Sequence, residues 1–159
     1  IINNVGQTSK EFMDIFDQYV EENLANKISD YFSGKIVPIK QDFDKATWVT
    51  KRSLNDCFLN FNDHISNIKT LFKVLVPPYP LPRIRVKENI YLISQASFLD
   101  RSYICSNGKV VSHYQGCPLV KVKGGLIMLK ELLDQNKIII NDKTSILPLG
   151  ENLENHNEK

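Results

Sequence analysis

The chain has 159 residues, of which 42% are apolar, enough for one ordinary domain or for a compact domain with part of a second. Twenty basic against eighteen acidic residues leave a formal charge of +2, too small an excess to make nucleic acid a default partner. Nothing approaches the ~18 consecutive apolar residues that span a bilayer, and no basic-then-apolar leader opens the chain, so a soluble protein is expected.

The chain opens Ile1-Ile2-Asn3-Asn4-Val5-Gly6 without a Met, so these residues are expected to continue from preceding sequence. Thr8-Ser9-Lys10-Glu11 is a capping box, in which the Thr8 hydroxyl accepts from the Glu11 amide and the Glu11 carboxylate reaches back. Phe12, Ile15, Phe16, Tyr19, Val20, Leu24, Ile28, Tyr31 and Phe32 then recur at steps of three and four, with Gly34 as the stop. This predicts one long amphipathic helix whose aromatic face is core and needs a large apolar partner, without which the stripe is left exposed. Lys35 to Asp44 is a polar connector with Pro38, and Thr47 to Lys51 is a candidate short strand. Asn62 or Asp63 is placed to cap a second helix carrying Ile65, Ile68, Leu71, Phe72 and Leu75 on one side. Pro77-Pro78 ends it, and with Pro80 and Pro82 makes a stiff exit.

Beyond Pro82 the period shortens. Strands are predicted at Ile84–Lys87, Ile90–Ala96, Gly108–Ser112, Leu119–Val122 and Gly125–Leu132, separated by Glu88-Asn89, Ser106-Asn107-Gly108, Gln115-Gly116 and Lys123-Gly124-Gly125. Short strands at this spacing suggest a small open barrel or Greek-key sheet, much like an OB-fold. Ile138-Ile139-Ile140 is a candidate last strand, and Gly150 to Lys159 a polar, frayed end.

The run from Ala46 to Pro80 resembles the linker of the folate-dependent formyltransferases. In those enzymes an Ala-Thr-aromatic strand end, a basic pair, an acidic turn and a Phe-rich strand precede a helix closed by Pro-aromatic-Pro. Here these are Ala46-Thr47-Trp48, Lys51-Arg52, Asn55-Asp56, Cys57-Phe58-Leu59-Asn60-Phe61 and Pro78-Tyr79-Pro80. Gly108-Lys109-Val110-Val111, Gly116 and Lys123-Gly124-Gly125 also resemble, in order, that family's C-terminal domain. Leu81 departs from the pattern, standing where the family usually has Gly-Ala after the last Pro, and gives a bulkier exit.

The resemblance implies an α+β chain: an N-terminal helical segment, the end of a nucleotide-fold domain with its linker helix, followed by a small OB-like open β-barrel domain. The implied bounds are 1–45 for the catalytic-domain remnant, 46–82 for the linker, 83–150 for the OB-like domain and 151–159 for a flexible tail. It implies transfer of a formyl group from 10-formyltetrahydrofolate, bound by the catalytic domain, to an amine. That amine belongs to an amino-sugar nucleotide or, as the lesser expectation, to initiator methionyl-tRNA. The family's Asn, His-x-Ser and Asp-Thr-Gly motifs do not occur in this segment, so no catalytic residue is assigned and the chain alone is expected to be inactive.

Lys51, Arg52, Asn55 and Asp56 are the candidate substrate-binding residues. In the sugar-amine enzymes the matching turn lies by the active-site mouth, where Arg52 would fork onto a diphosphate and Lys51 act as a point charge. The competing reading is a solvated turn in which Asp56 pairs with Arg52. His64 and His113 read as capping or surface residues. Cys57, Cys105 and Cys117 form no C-x-x-C pair, and with His64, His113 and His156 scattered, disulfides and structural zinc are disfavoured and a reducing cytoplasm is expected. Two other classes remain open. One is a stand-alone OB-like nucleic-acid module using Tyr91, Phe98, Tyr103 and Tyr114 with Arg83, Arg85, Lys109 and Lys121. The other is an assembly element, with the first helix or the β domain forming a homodimer.

Overall fold

The computed structural model describes residues 8–48 and 51–155. Residues 1–6, Val49 and Thr50 of the expected strand, and 156–159 of the expected tail, His156 among them, lie outside those residues. Two compact units divide the chain, Ile1–Arg52 and Ser53–Lys159.

In the first unit, helix α1 runs Ser9–Phe32. The capping box forms as expected: the Thr8 amide donates to Glu11 Oε2 at 2.8 Å and the Glu11 amide donates to Thr8 Oγ1 at 3.2 Å. Gly34, at φ +75°, takes the left-handed conformation just beyond the helix. The expected core role of the aromatic face is not met, since no residue of α1 is buried and Phe32 is 82% exposed. One helix has no apolar layer of its own to fold against, and among the described residues the first unit contains no strand. Thr47, Trp48 and Lys51, parts of the expected strand, are irregular.

The second unit is built on five antiparallel strands: β1 Arg83–Val86, β2 Asn89–Leu99, β3 Val110–Tyr114, β4 Cys117–Val122 and β5 Gly125–Leu133. Their spatial order is β1-β2-β5-β4-β3. Gln115 and Gly116 both have positive φ, as a two-residue hairpin between β3 and β4 requires, and Gly124 at φ +81° turns β4 into β5. One core cluster takes Ile84, Ile93, Val110, Val120 and Ile127 from all five strands, as a curled open sheet allows. The expected α+β architecture with a small open barrel-like sheet is therefore present.

Helix α2 (Ile65–Val74) belongs to this unit, because Ile65 and Ile68 enter the same core and the Ile65 amide donates to the Lys123 carbonyl at 2.8 Å. Its cap is His64, whose Nδ1 accepts from the Ser66 amide at 3.3 Å, and not Asn62 or Asp63. Those two are engaged in the preceding turn, where Asn60 Nδ2 donates to Asp63 and the Asn62 amide donates to Asn60 Oδ1.

The chain after β5 departs from expectation. Ile139 makes one isolated bridge with Leu133, so 138–140 is not a strand. A short helix, α3 (Lys143–Ile146), packs against β4 and leads to buried Leu147. The segment expected to fray from Gly150 is docked through Asn155: the Val110 amide donates to the Glu151 carbonyl at 2.8 Å, and the Leu153 amide donates to the Gly108 carbonyl at 2.9 Å. Leu153 is in the core, and one buried leucine with three backbone bonds outweighs the polar composition around it.

Candidate functional site

The expected substrate-binding residues are divided between the two units. Lys51 and Arg52 end the first unit and are exposed; Asn55 and Asp56 belong to the second and are exposed too. Within the second unit the local geometry is tight. The Asp56 carboxylate accepts from the Ser53 amide at 2.6 Å and from the Ser53 hydroxyl at 2.9 Å, and the Cys57 thiol lies 3.6 Å from the Ser53 carbonyl. Cys57 is wholly buried, and the Leu59 amide donates to the Arg83 carbonyl, so the turn is pinned to the edge of β1 two residues later. Asp56 thus works as the acceptor that closes a 3-10 turn over Asn55–Cys57, leaving the Asn55 side chain on the surface.

The two histidines among the described residues are structural. His64 caps α2 with its ring over Gly124, where any Cβ would come within 2.5 Å of Nε2. His113 Nε2 lies 2.7 Å from the Leu147 carbonyl, so that nitrogen carries the proton and donates, tying β3 to the chain beyond α3.

The aromatic and basic residues of the nucleic-acid reading do not share one face. Tyr91 and Phe98 pack against the core, Phe98 edge-on to Phe72 with ring centroids 5.3 Å apart. Lys121 is buried and its Nζ donates to the Val122 carbonyl, while the Arg85 guanidinium sits over the Phe58 ring. Tyr103 and Tyr114 remain exposed and line, with Arg101 and His113, a hollow of about 330 Å³. Stacking platforms need several exposed rings in a row, and of the four rings in that reading two are exposed.

Lys137 escaped sequence reasoning as a site residue, and Arg83 entered it only in the nucleic-acid reading. Both line a groove of about 690 Å³ in the second unit, together with Leu54 and the Pro77–Leu81 exit. Lys137 is 54 residues from Arg83 in sequence, as their numbers give by subtraction, and only the sheet brings them to one groove. The available signal was Arg83 itself, a guanidinium at the first position of a strand behind a proline run.

An α+β unit with a helix and proline lead-in to a small open antiparallel sheet is the class this fold defines. Among the described residues no helix is long and apolar enough to cross a membrane, and none of the His, Cys, Asp and Glu residues gather in threes as metal ligands would. The chain belongs to the family of the formyl transferase C-terminal domain, whose model matches residues 51–145, from the basic pair through all five strands into α3.

Proposed function

We propose that this chain is the rear portion of an enzyme that moves a formyl group from 10-formyltetrahydrofolate to the amine of an amino-sugar nucleotide. The family match over residues 51–145 carries this reading. In it, donor binding and proton removal from the amine are performed by a catalytic domain preceding this segment, and the segment positions substrate. Lys51 and Arg52 supply two adjacent exposed cations for a diphosphate, Arg52 by a bidentate fork, while Asn55 and Asp56 shape the turn beside them. The divided aromatic set gives little for a transfer RNA to stack on, which favours the sugar nucleotide over methionyl-tRNA.

The test is to recover the reading frame with its upstream codons, express its product, and assay formylation of amino-sugar nucleotides and of methionyl-tRNA. The expected result is an upstream Asn, His-x-Ser and Asp-Thr-Gly, activity on the sugar nucleotide, and a KM raised about tenfold or more by Arg52→Ala. Activity on methionyl-tRNA alone would overturn the substrate, and a frame lacking those motifs would overturn the enzyme.

A further inference from the structure

The groove lined by Arg83 lies wholly within the second unit. Its wall is stiff: Pro77, Pro78 and Pro80 have fixed backbone torsions, and Tyr79 between them is 44% exposed. Leu54, Leu81, Leu92 and Leu133 supply apolar lining. Its volume of about 690 Å³ falls within the ~300–1,000 Å³ range of small-molecule sites.

The charged groups in this groove are both cations. Arg83 Nε is enclosed and has no hydrogen-bond acceptor, and among the described residues neither Arg83 nor Lys137 forms an ion pair. A buried guanidinium N–H without an acceptor is costly, so the arrangement asks for an oxyanion from outside. Ser94, also in the lining, has its hydroxyl committed to Glu131 Oε1 at 2.5 Å. Two cations, one of them able to fork, match a phosphate better than a lone carboxylate; a tyrosine among prolines and leucines matches a flat ring.

We propose that this groove binds a small molecule joining a planar ring to a phosphate group, as a nucleoside diphosphate does, with the phosphate on Arg83 and Lys137 and the ring against Tyr79. The family model does not bear on it.

The experiment titrates the full chain with ADP and UDP, followed by calorimetry and by amide chemical shifts, with adenosine, uridine and inorganic pyrophosphate as comparators. At least one diphosphate is expected to bind, with shifts clustered at 77–83 and around Lys137, and both the nucleosides and pyrophosphate are expected to bind at least about tenfold more weakly. Lys137→Glu, at an exposed turn, is expected to weaken binding about tenfold or more while the circular dichroism spectrum stays unchanged. Arg83→Gln is expected to do the same, and Lys137→Glu decides alone if Arg83→Gln does not fold. Lys51→Ala with Arg52→Ala is expected to leave affinity within about twofold. Three results overturn the proposal: no binding by either nucleotide, pyrophosphate binding as tightly as the nucleotides, or loss of binding in the Lys51/Arg52 variant but not in Lys137→Glu.

Discussion

Helix α1 and the β5 strand are both rich in large apolar residues, yet they have opposite fates. The 24 residues of α1 bury none of their side chains, while the nine of β5 place Gly125, Leu126, Ile127, Leu129 and Leu132 inside. The helix closes its own backbone bonds and needs only its cap and periodicity to be specified. A strand closes none of its own, so β5 exists because β2 and β4 lie on either side of it, and those neighbours provide the surface that buries it. Local signals therefore suffice to make an element, and only non-local pairing makes a core.

The contrast is broken most forcefully by truncating one residue on each side. Ile127→Ala, at a fully buried position, should cost about 2–5 kcal/mol and lower the urea midpoint of the second unit, whereas Phe16→Ala on α1 should change stability by less than about 0.5 kcal/mol. Comparable losses from the two would mean that the α1 face is buried in solution. A smaller effect separates backbone strain from packing inside the second unit. Gly108 and Gly116 have φ of +84° and +71°, but a Cβ at Gly108 would run into the Leu153 carbonyl, while at Gly116 nothing lies within 4 Å. Gly116→Ala should cost about 1–2 kcal/mol from the left-handed conformation alone, and Gly108→Ala about 2 kcal/mol more as the 150–155 segment is pushed off. Equal thermal midpoints for the two variants would show that this segment is not docked.

The cap of α1 sharpens the same contrast from the other side. Thr8→Ala should cost the helix about 1 kcal/mol, visible as faster amide exchange over the first turn with exchange in β5 unchanged. Glu11 adds a pH dependence. Its hydrogen bonds with the Thr8 amide and hydroxyl hold its carboxyl below the usual value, so its contribution is complete above the ordinary carboxylate range and is lost as pH falls through the lowered value. The helical signal of α1 should weaken on acidification in that window, and Glu11→Gln should flatten the response. An unchanged acid profile in that variant would remove Glu11 from the cap.

Much of the second unit was legible because its turns carry chemistry of their own. Gln115-Gly116 and Lys123-Gly124-Gly125 mark hairpins whatever surrounds them, and they delimit β4 to within two residues of expectation. The cap of α2 was misplaced by one or two positions because Asn62, Asp63 and His64 all offer acceptors, and the choice depended on a turn closed by Asn60. The candidate site divided in the same way. Asn55-Asp56 was legible as a turn since Asp56 meets Ser53 three residues away, whereas the Arg83 groove joins residues from the proline exit, three strands and the loop after β5.

By itself, then, the sequence determined what depends on neighbours a few residues apart: the capping box and period of α1, the proline stop, the hairpin turns and the alternation that follows them. It also carried the family, through a basic pair, a helix closed by Pro-Tyr-Pro and ordered glycine turns. The tertiary structure alone decided that the aromatic face of α1 is exposed, that Lys121 is buried on its own strand, and that Leu153 seals the core from a polar tail. Burial depends on which surfaces meet across tens of residues, and the period of a segment names a face without naming what will cover it.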